Sequence, residues 1–466
     1  MPDSDHDALE RARQAEPGNA VTRFFRHLVT EIRPGEGRVA MLLLSAVFFF
    51  LASLYMLKVA REAEVLRDQG IFGLSGPELK ALARGFQAMI LALVVIPIYG
   101  WVSSRVPRRR LMIGMVVFYA LNIEVIYLLS VNELPNIGFY FYVWVGIFNV
   151  SIMAQFWSYV NDVYDDEAGR RLFPLIMMGA SLGGVSGVLV DRFIGNLSFF
   201  AANPFGALHV TAGLLVTGLA LFLIADYFVE EENVREQREQ PPLQLGNGLV
   251  RVFQSPYLRL IGLLLLLLNL VNSTGEYILD HYIVEHAAVV ASSQFEAGTD
   301  LWREANSAAI GRAFNTFYLA VNVLTLLLQM FIASRIIRRA GTIGALLVLP
   351  VVALGAYGLA LLGGGYMAFR VLKIIENATD YSINNTVQQL LWAPTSREEK
   401  YQGKQAADTI FYRMGDFLHS ALIWVGTSVF ALMPRDFAMI NVLLCFVWFG
   451  LVFALGREYS KVRQIA

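Results

Sequence analysis

The sequence predicts an all-α membrane protein with twelve transmembrane helices arranged in two six-helix halves. Its composition is the first reason: of 466 residues, 56% are hydrophobic and 16% are charged, and the mean hydropathy is +0.52. Soluble domains carry about 25% charged residues. The second reason is a series of apolar runs close to the ~20 residues that cross a bilayer. The third is the concentration of basic residues in alternate loops. A net charge of −1 gives no reason to expect a nucleic-acid partner.

The predicted elements follow the apolar runs in order. Residues 1–38 are polar and basic without an apolar core, which favours an uncleaved cytoplasmic segment, disordered over 1–20 and with a short interfacial helix from Val21 to Arg33. Twelve spans are predicted at 39–62, 85–104, 111–130, 137–160, 172–190, 207–228, 257–281, 309–333, 342–362, 366–391, 407–431 and 436–456. The halves are then 39–228 and 257–456, joined by a cytoplasmic linker at 229–256 and followed by a cytoplasmic tail at 457–466.

Positive charge predicts which side of the membrane each loop occupies. Basic residues are frequent before the first span, after every even-numbered span and in the tail. The opposite loops are poorer, and their basic residues include Arg67, Lys80 and Arg84. Because short cytoplasmic loops carry an excess of lysine and arginine, both termini are expected in the cytoplasm. We expect a multi-pass protein of a bacterial inner membrane, or of an organelle of bacterial origin, that works as a monomer in the lipid bilayer.

A short internal repeat supports the division into halves. Ser104-Arg105-x-x-Arg108-Arg109 follows the second span, and the same S-R-x-x-R-R pattern begins at Ser334, after the eighth span. Parallel repeats of six spans around a midplane site are the architecture of the major facilitator superfamily. In that architecture the first, fourth, seventh and tenth spans line a central cavity. The fold prediction is therefore a major-facilitator-like bundle.

The tenth span carries an unusual density of polar residues. Arg370, Lys373, Asp380 and Gln388 step along it by three, seven and eight residues, and together with Asn377 and Asn384 they are predicted to share one helical face. Charges in a membrane usually face water or one another because they are costly to bury in lipid. One interpretation is a wet wall along a solute path, and the other is an internal ladder that holds the bundle together. Glu376 is assigned to ion pairing or coupling.

Other spans add candidates of the same kind. The first span ends with Lys58, Arg61 and Glu62, and the seventh carries Asn272, Glu276 and Asp280 at helical spacing. Lys58 and Arg61 are also positioned where basic residues snorkel to the membrane surface. In the eleventh span, Arg413, Asp416 and His419 form an intramembrane trio. That trio favours an ion pair that braces the bundle over a proton relay.

Three further patterns are assigned to structure and not to chemistry. Gly179, Gly183 and Gly187 recur every four residues, which allows a neighbouring helix to approach closely. His281 and His286 with Glu285 do not fit a metalloprotease motif. The single cysteine, Cys445, cannot form a disulfide within the chain. No metal, cofactor or nucleophile–base pair is indicated, so the sequence does not predict an enzyme, and a membrane-embedded transferase or a scaffold is disfavoured.

Several stretches of the sequence resemble one family of membrane proteins. Phe156 to Asn161 (FWSYVN) precedes an acidic turn, the segment Arg171 to Leu175 (RLFPL) and a helix rich in small residues. Tyr55 to Arg61 (YMLKVAR), Ala333 to Gly341 (ASRIIRRAG) and Gln402 to Asp408 (QGKQAAD) extend the likeness to both halves. Together these segments resemble the nucleotide transporter family of ATP/ADP translocases from plastids and intracellular bacteria.

The resemblance implies a secondary transporter that exchanges nucleotides by alternating access. The charged residues of the first, seventh and tenth spans would then lie at the substrate site. Lys58, Arg61, Arg370 and Lys373 would attract the anionic groups of the substrate. This sequence departs from the family pattern at three positions. The family has an acid in the fourth span, an acid in the seventh and a lysine near the end of the tenth, where this chain has Val145, Asn272 and Gln388. These departures favour, as the alternative, a proton-coupled transporter of another organic anion or of a lipid-like or peptidoglycan-derived solute.

Overall fold

The computed structural model describes residues 36–67, 73–132, 134–164, 166–197, 204–229, 245–396, 399 and 403–465. The segment 1–35, including the helix predicted from Val21 to Arg33, lies outside these residues, as does 230–244 of the predicted linker. Within the described part of the chain the structure is helical, and its helices form twelve spans in the predicted order.

The N-terminal half contains six long helices, which we number as spans 1 to 6. They are Glu36–Arg67, Gly76–Ser103, Arg108–Val131, Ile137–Val163, Asp166–Gly195 and Ala207–Tyr227. Pro107 precedes span 3, where its missing N–H and its fixed φ suit a helix start. Pro174 lies inside span 5 without ending it.

The C-terminal half begins after a short linker helix, Leu245–Gln254. Spans 7 and 12 are the continuous helices Pro256–Ser292 and Pro434–Ile465, whereas the other four are composed of shorter segments. Span 8 consists of Asp300–Leu327, Leu328–Ile332 and the first part of Ala333–Leu346. The chain turns at Gly341, whose φ is 68°. Span 9 comprises the residues after this turn and Val348–Leu361. Span 10 is Tyr366–Thr379, Asp380–Asn384 and Asn385–Leu391, and span 11 is Lys404–Ala406, Ala407–Phe411 and Tyr412–Phe430.

The two halves repeat one packing pattern. Span 1 packs against spans 4, 5 and 6, and span 7 packs in the same way against spans 10, 11 and 12. Spans 3 and 6 are neighbours, as are their counterparts 9 and 12. The halves meet chiefly where span 2 packs on span 11 and where span 8 packs on spans 1 and 5. The centre of the molecule is therefore bounded by helices of both halves.

The glycine stripe of span 5 sets the closest helix contact in the N-terminal half. A Cβ added to Gly179, Gly183 or Gly187 would lie 2.2–2.3 Å from a backbone carbonyl oxygen of span 1. The three carbonyls belong to Leu44, Phe48 and Ala52, which are also spaced by four residues. Any side chain at these positions would push the two helices apart, so the predicted packing role of the stripe is confirmed.

Candidate functional site

Span 2 begins nine residues earlier than the sequence predicted, and this changes the charge content of the membrane region. The helix starts at Gly76, not at 85. Pro77 lies in its first turn, and the backbone N–H of Ser75 donates to Glu78 Oε2 at 2.7 Å. This is half of a capping box, which fixes a helix start. Lys80 and Arg84 were predicted to lie in a loop, but they belong to the first three turns of this membrane helix.

Lys80 joins the two halves through a pair of carboxylates. Its Nζ lies 2.7 Å from Glu62 Oε2 of span 1 and 2.8 Å from Asp280 Oδ1 of span 7. Arg61 lies beside them, with one guanidinium nitrogen 3.2 Å from Glu62 Oε1 and its Cζ 4.3 Å from the ring centre of Tyr142. All four charged side chains are at most 10% exposed. A cation so buried is stable only when it is paired.

Arg84 makes a second connection one turn further along span 2. Its guanidinium forms an ion pair with Glu276 and donates to Ser273 Oγ at 2.6 Å, both on span 7. It also donates to the hydroxyl of Tyr142 at 3.3 Å. The side chains of Arg84 and Glu276 are 14% and 21% exposed, so this pair borders accessible space. We call the set Arg61, Glu62, Lys80, Arg84, Glu276 and Asp280 the closed-end cluster.

The other polar bonds between the halves lie at the same end. Tyr318 of span 8 donates to Glu62 at 3.1 Å, and Asn315 Nδ2 lies 2.8 Å from Asp191 of span 5. These bonds and the ion pairs of Lys80 and Arg84 join the two halves at one end of the molecule. The apolar core agrees: Val65, Leu66 and Leu79 pack into the core of the C-terminal half, separately from the main N-terminal core. The halves are thus sealed at the end opposite the chain termini.

Toward the termini, span 10 exposes a polar stripe. Tyr381, Asn385 and Gln389 are exposed at intervals of four residues, and Tyr381 is 40% exposed. Tyr55 of span 1, Glu276 of span 7 and Tyr412 of span 11 are close enough to Tyr381 to interact with it electrostatically, so groups of both halves lie near it. An exposed side chain in such surroundings faces an open space between the halves. That space reaches toward the end of span 10 that carries Gln389.

A π-helical turn at Asp380–Asn384 explains why this stripe differs from the predicted polar face. A π-turn contains one additional residue per turn, so it rotates everything that follows it. The predicted face therefore continues through Asn385 and Gln389 instead of Asn384 and Gln388. Asn384 is 2% exposed and donates to Asp380 Oδ1 at 2.7 Å, and Gln388 is half-buried.

Lys58 of span 1 stands apart from this pairing. Its Nζ lies 4.8 Å from the ring centre of Tyr55, but in the described part of the chain it has no hydrogen bond and no carboxylate within ion-pair distance. It interacts electrostatically with Glu276 across the interface of the halves. Lys58 is half-buried and is one turn before Arg61. We call Tyr55, Lys58, Tyr381 and Tyr412 the central site.

Lys373 and Glu376 form a separate pair inside the C-terminal half. Lys373 Nζ lies 3.1 Å from Glu376 Oε1 and 2.6 Å from Asn272 Oδ1, while Tyr357 donates to Glu376 at 2.8 Å. The side chains of Lys373 and Glu376 are 0% and 2% exposed. Spans 7, 9 and 10 are held together by this network. Lys373 and Glu376 are thus enclosed by the helices of their own half, which resembles the internal ladder of the two interpretations given for the tenth span.

The remaining predicted residues lie in different surroundings. Arg370 donates to the Ala313 carbonyl at 2.9 Å and lines a cavity between spans 7, 8 and 10. Arg413 lies 3.2 Å from Asp416, whose carboxylate reaches Ser273 of span 7 at 3.5 Å. Asp380 is half-buried beside the central site. Among the described residues, no group of three histidine, cysteine, aspartate or glutamate side chains could hold a metal ion.

Sequence reasoning missed several residues of these sites. Lys80 and Arg84 could have been found from the Ser75-x-x-Glu78 pattern with Pro77, which signals a helix start. Tyr318, Tyr381 and Tyr412 gave no such signal, because a tyrosine in an apolar span is equally compatible with packing against lipid or helices. Their place between the halves depends on the tertiary arrangement.

Comparison with known sequences places the chain beside nucleotide carriers. A family model described as "TLC ATP/ADP transporter" matches residues 365–459, which cover spans 10 to 12. The "ADP,ATP carrier protein 2" of Chlamydia pneumoniae is 21% identical over 79% of this chain and 79% of its own length. The "ADP,ATP carrier protein 4" of Rickettsia bellii is 20% identical over 89% of this chain and 90% of its own length. The predicted resemblance to this family is confirmed.

Comparison with solved structures concerns the fold. The nucleoside transporter NupG covers 90% of this chain and 99% of its own, with a TM-score of 0.57 at 12% identity. A POT family transporter solved with 5-aminolevulinic acid covers 93% and 99%, with a TM-score of 0.59 at 12% identity. Both are transporters, and each aligns over both halves of this chain, which confirms the predicted major-facilitator-like fold. The chain is a multi-pass membrane transporter, and its relatives are carriers and not enzymes.

Proposed function

We propose that this chain exchanges nucleotides of the ATP/ADP type across a bacterial inner membrane by alternating access. The observation that carries the proposal is Lys58, which has no carboxylate within ion-pair distance, lies beside the ring of Tyr55 and interacts electrostatically with Glu276 of the other half. An ammonium without a carboxylate is suited to bind a phosphate group. The flat rings of Tyr55, Tyr381 and Tyr412 offer surfaces on which a base could stack. The likeness to ADP,ATP carriers over both halves supports this substrate class.

Opening the closed end requires the halves to separate between opposite charges. Arg61, Lys80 and Arg84 belong to the N-terminal half, whereas Glu276 and Asp280 belong to the C-terminal half. Separation would leave a basic face on one half and an acidic face on the other. An anion bound at Lys58 lies on the basic side and would compete with the two carboxylates for these cations. The substrate would thereby lower the cost of opening, which favours exchange over movement of the empty carrier.

Within this proposal the predicted residues have two roles. Lys58 would bind the substrate directly, and Glu276 and Asp380 would border the bound molecule. Asn272, Lys373 and Glu376 would fix the position of span 10 against span 7, since they are buried together. We propose a monomer with both termini in the cytoplasm, so that the closed end faces the periplasm.

The orientation has a direct test. A reporter that is active only in the cytoplasm should give signal when it is fused after Ala466 or inserted within 230–250, because twelve spans return the chain to its starting side. A reporter that works only in the periplasm should be silent at both sites. Periplasmic activity at either site would contradict the orientation and the number of spans.

The substrate is tested by uptake of radiolabelled ATP and ADP into proteoliposomes containing the full chain. We expect excess unlabelled ATP to compete with ADP, and the reverse, and internal nucleotide to stimulate uptake. Lys58→Ala should raise the KM for both by about tenfold or more, because a hydrogen bond to a charged group is lost. Lys58→Arg should retain most of the affinity. Lys461→Ala is the matched control, since Lys461 is exposed near the C-terminus and pairs with Glu458.

The departures from the family pattern favour one other substrate class. Two acids of the family pattern are replaced here by Val145 and Asn272, which have no carboxyl group. Val145 is fully buried, and Asn272 is bound to Lys373. A carrier of another organic anion would show no nucleotide uptake, yet would still depend on Lys58. A panel of labelled organic anions, with a proton gradient present or absent, separates the two cases. Normal uptake of nucleotides by Lys58→Ala would contradict the site itself.

A further inference from the structure

We propose that a cavity between spans 7, 8 and 10 is a second anion site, separate from the central site, that binds a phosphate group at the closed end of the molecule. The cavity has a volume of about 220 Å³ and is lined by residues including His286, Arg312, Thr316, Tyr366 and Arg370. That volume corresponds to about seven water molecules, at roughly 30 Å³ each. It is large enough for a phosphate and part of the molecule attached to it.

The charge of the lining is of one sign. Arg312, Arg370 and His286 come from three different spans, and no carboxylate lines the cavity. In the described part of the chain, neither arginine has an ion-pair partner. Lys80 and Lys373, which are almost fully buried, are each paired with a carboxylate. Two arginines in the lining of one cavity, without a carboxylate beside them, provide N–H donors that can bind the oxygens of a phosphate.

Arg370 carries the sharpest indication. One of its terminal nitrogens donates to the Ala313 carbonyl at 2.9 Å, which fixes the guanidinium, and its Nε is buried without a hydrogen-bond partner. The ring of Tyr366 lies 5.6 Å from its Cζ and stacks on His286 with ring centres 4.7 Å apart. Arg370 and His286 therefore both lie against the ring of Tyr366.

The cavity lies near the ends of spans 7 and 10, where a phosphate of a lipid headgroup or of a soluble molecule could reach it. Arg370 is four residues from the start of span 10, about 6 Å along its axis. His286 is six residues from the end of span 7, about 9 Å. Both lie near the level at which headgroups meet the hydrocarbon core. Simple snorkelling does not account for Arg370, because its guanidinium is bound to a backbone carbonyl inside the bundle instead of extending to water.

The test measures the thermal unfolding midpoint of the full-length protein in detergent, in a Lys58→Ala background that weakens anion binding at the central site. The probes are inorganic pyrophosphate and short-chain phosphatidylglycerol, each titrated at constant ionic strength. Arg312→Gln and Arg370→Gln are compared with Arg303→Gln, an exposed arginine on the same helix that does not line the cavity. Arg312 is exposed, so its substitution should leave the fold intact even if that of Arg370 does not.

We expect at least one probe to raise the midpoint, and Arg312→Gln to weaken its apparent Kd by about tenfold or more, the effect of losing a charged hydrogen bond. A response to the lipid alone identifies a headgroup as the ligand, and a response to pyrophosphate identifies a soluble phosphate. The proposal is overturned if neither probe shifts the midpoint, or if Arg312→Gln and Arg303→Gln respond alike. None of these outcomes depends on whether the transported substrate is a nucleotide.

Discussion

At the scale of single residues, the structure separates charges that are enclosed within one half from charges that lie between the two halves. Lys373 and Lys58 are both lysines of membrane spans. Lys373 is fully buried and contacts Asn272, Tyr357 and Glu376. Lys58 is half-buried and lies beside the ring of Tyr55. Burial of a paired charge contributes little to stability, whereas leaving one partner alone is costly. The two lysines should therefore respond differently to substitution.

Lys373→Met is expected to destabilise the protein strongly, because Glu376 would remain buried and uncompensated. The expected loss is roughly 3–5 kcal/mol. The double variant Lys373→Met/Glu376→Gln should recover much of that loss, since neither residue then carries a charge. Thermal unfolding in detergent measures both. If the single variant unfolds at the wild-type temperature while transport is lost, Lys373 contacts the substrate and is not part of the scaffold.

At the scale of helices, the contact of spans 1 and 5 depends on the absence of side chains. Gly183→Leu should force the backbone at Phe48 away and destabilise the N-terminal half by about 1–3 kcal/mol or more. Gly213→Leu on span 6 is the matched control, because no atom lies within 4 Å of its added Cβ. The yield of monodisperse protein on size exclusion and its unfolding midpoint report the difference. Equal behaviour of the two variants would mean that span 5 is not packed as described.

The helices also show what sequence reasoning can reach. Nine helices of the described residues are long and apolar enough to be recognised as spans by hydropathy. Span 10 carries Arg370, Lys373, Glu376 and Asp380, and was predicted from its length and flanks in spite of them. The start of span 2 was predicted nine residues late because apolar content, and not capping, was used to place it. The π-turn of span 10 was not predictable, since no residue pattern requires the extra residue at Asp380–Asn384.

The candidate site was predicted in part for the same physical reason. Periodicity places residues on faces of one helix, so Glu276 and Asp280 were correctly grouped on span 7. Periodicity does not say which helices meet. The partners Lys80 and Arg84, and the enclosure of Lys373 by its own half, follow from packing between spans. The assignment of each residue to substrate binding or to ion pairing stays a prediction.

At the scale of the whole molecule, alternating access requires that the sealed end open in each cycle. The sealing contacts join span 1 to span 8 as well as spans 2 and 7, so the two halves should move as bodies about the central site. A covalent link across the sealed end would then stop transport without disturbing either half. The chain offers a suitable pair of positions. Ala63 of span 1 faces Gly311 of span 8, and a Cβ added to Gly311 would lie 3.7 Å from Cβ of Ala63.

That separation matches the mean Cβ–Cβ distance of about 3.8 Å in disulfides. We therefore expect Ala63→Cys/Gly311→Cys, made in a Cys445→Ala background to remove the one native thiol, to form a disulfide on mild oxidation. Uptake into proteoliposomes should fall to background when the bond forms and return on reduction, because the closed end can no longer separate. Each single cysteine variant should transport normally under both conditions. Cross-linked protein that transports at the wild-type rate would mean that this end does not open, and the alternating-access mechanism proposed here would have to be abandoned.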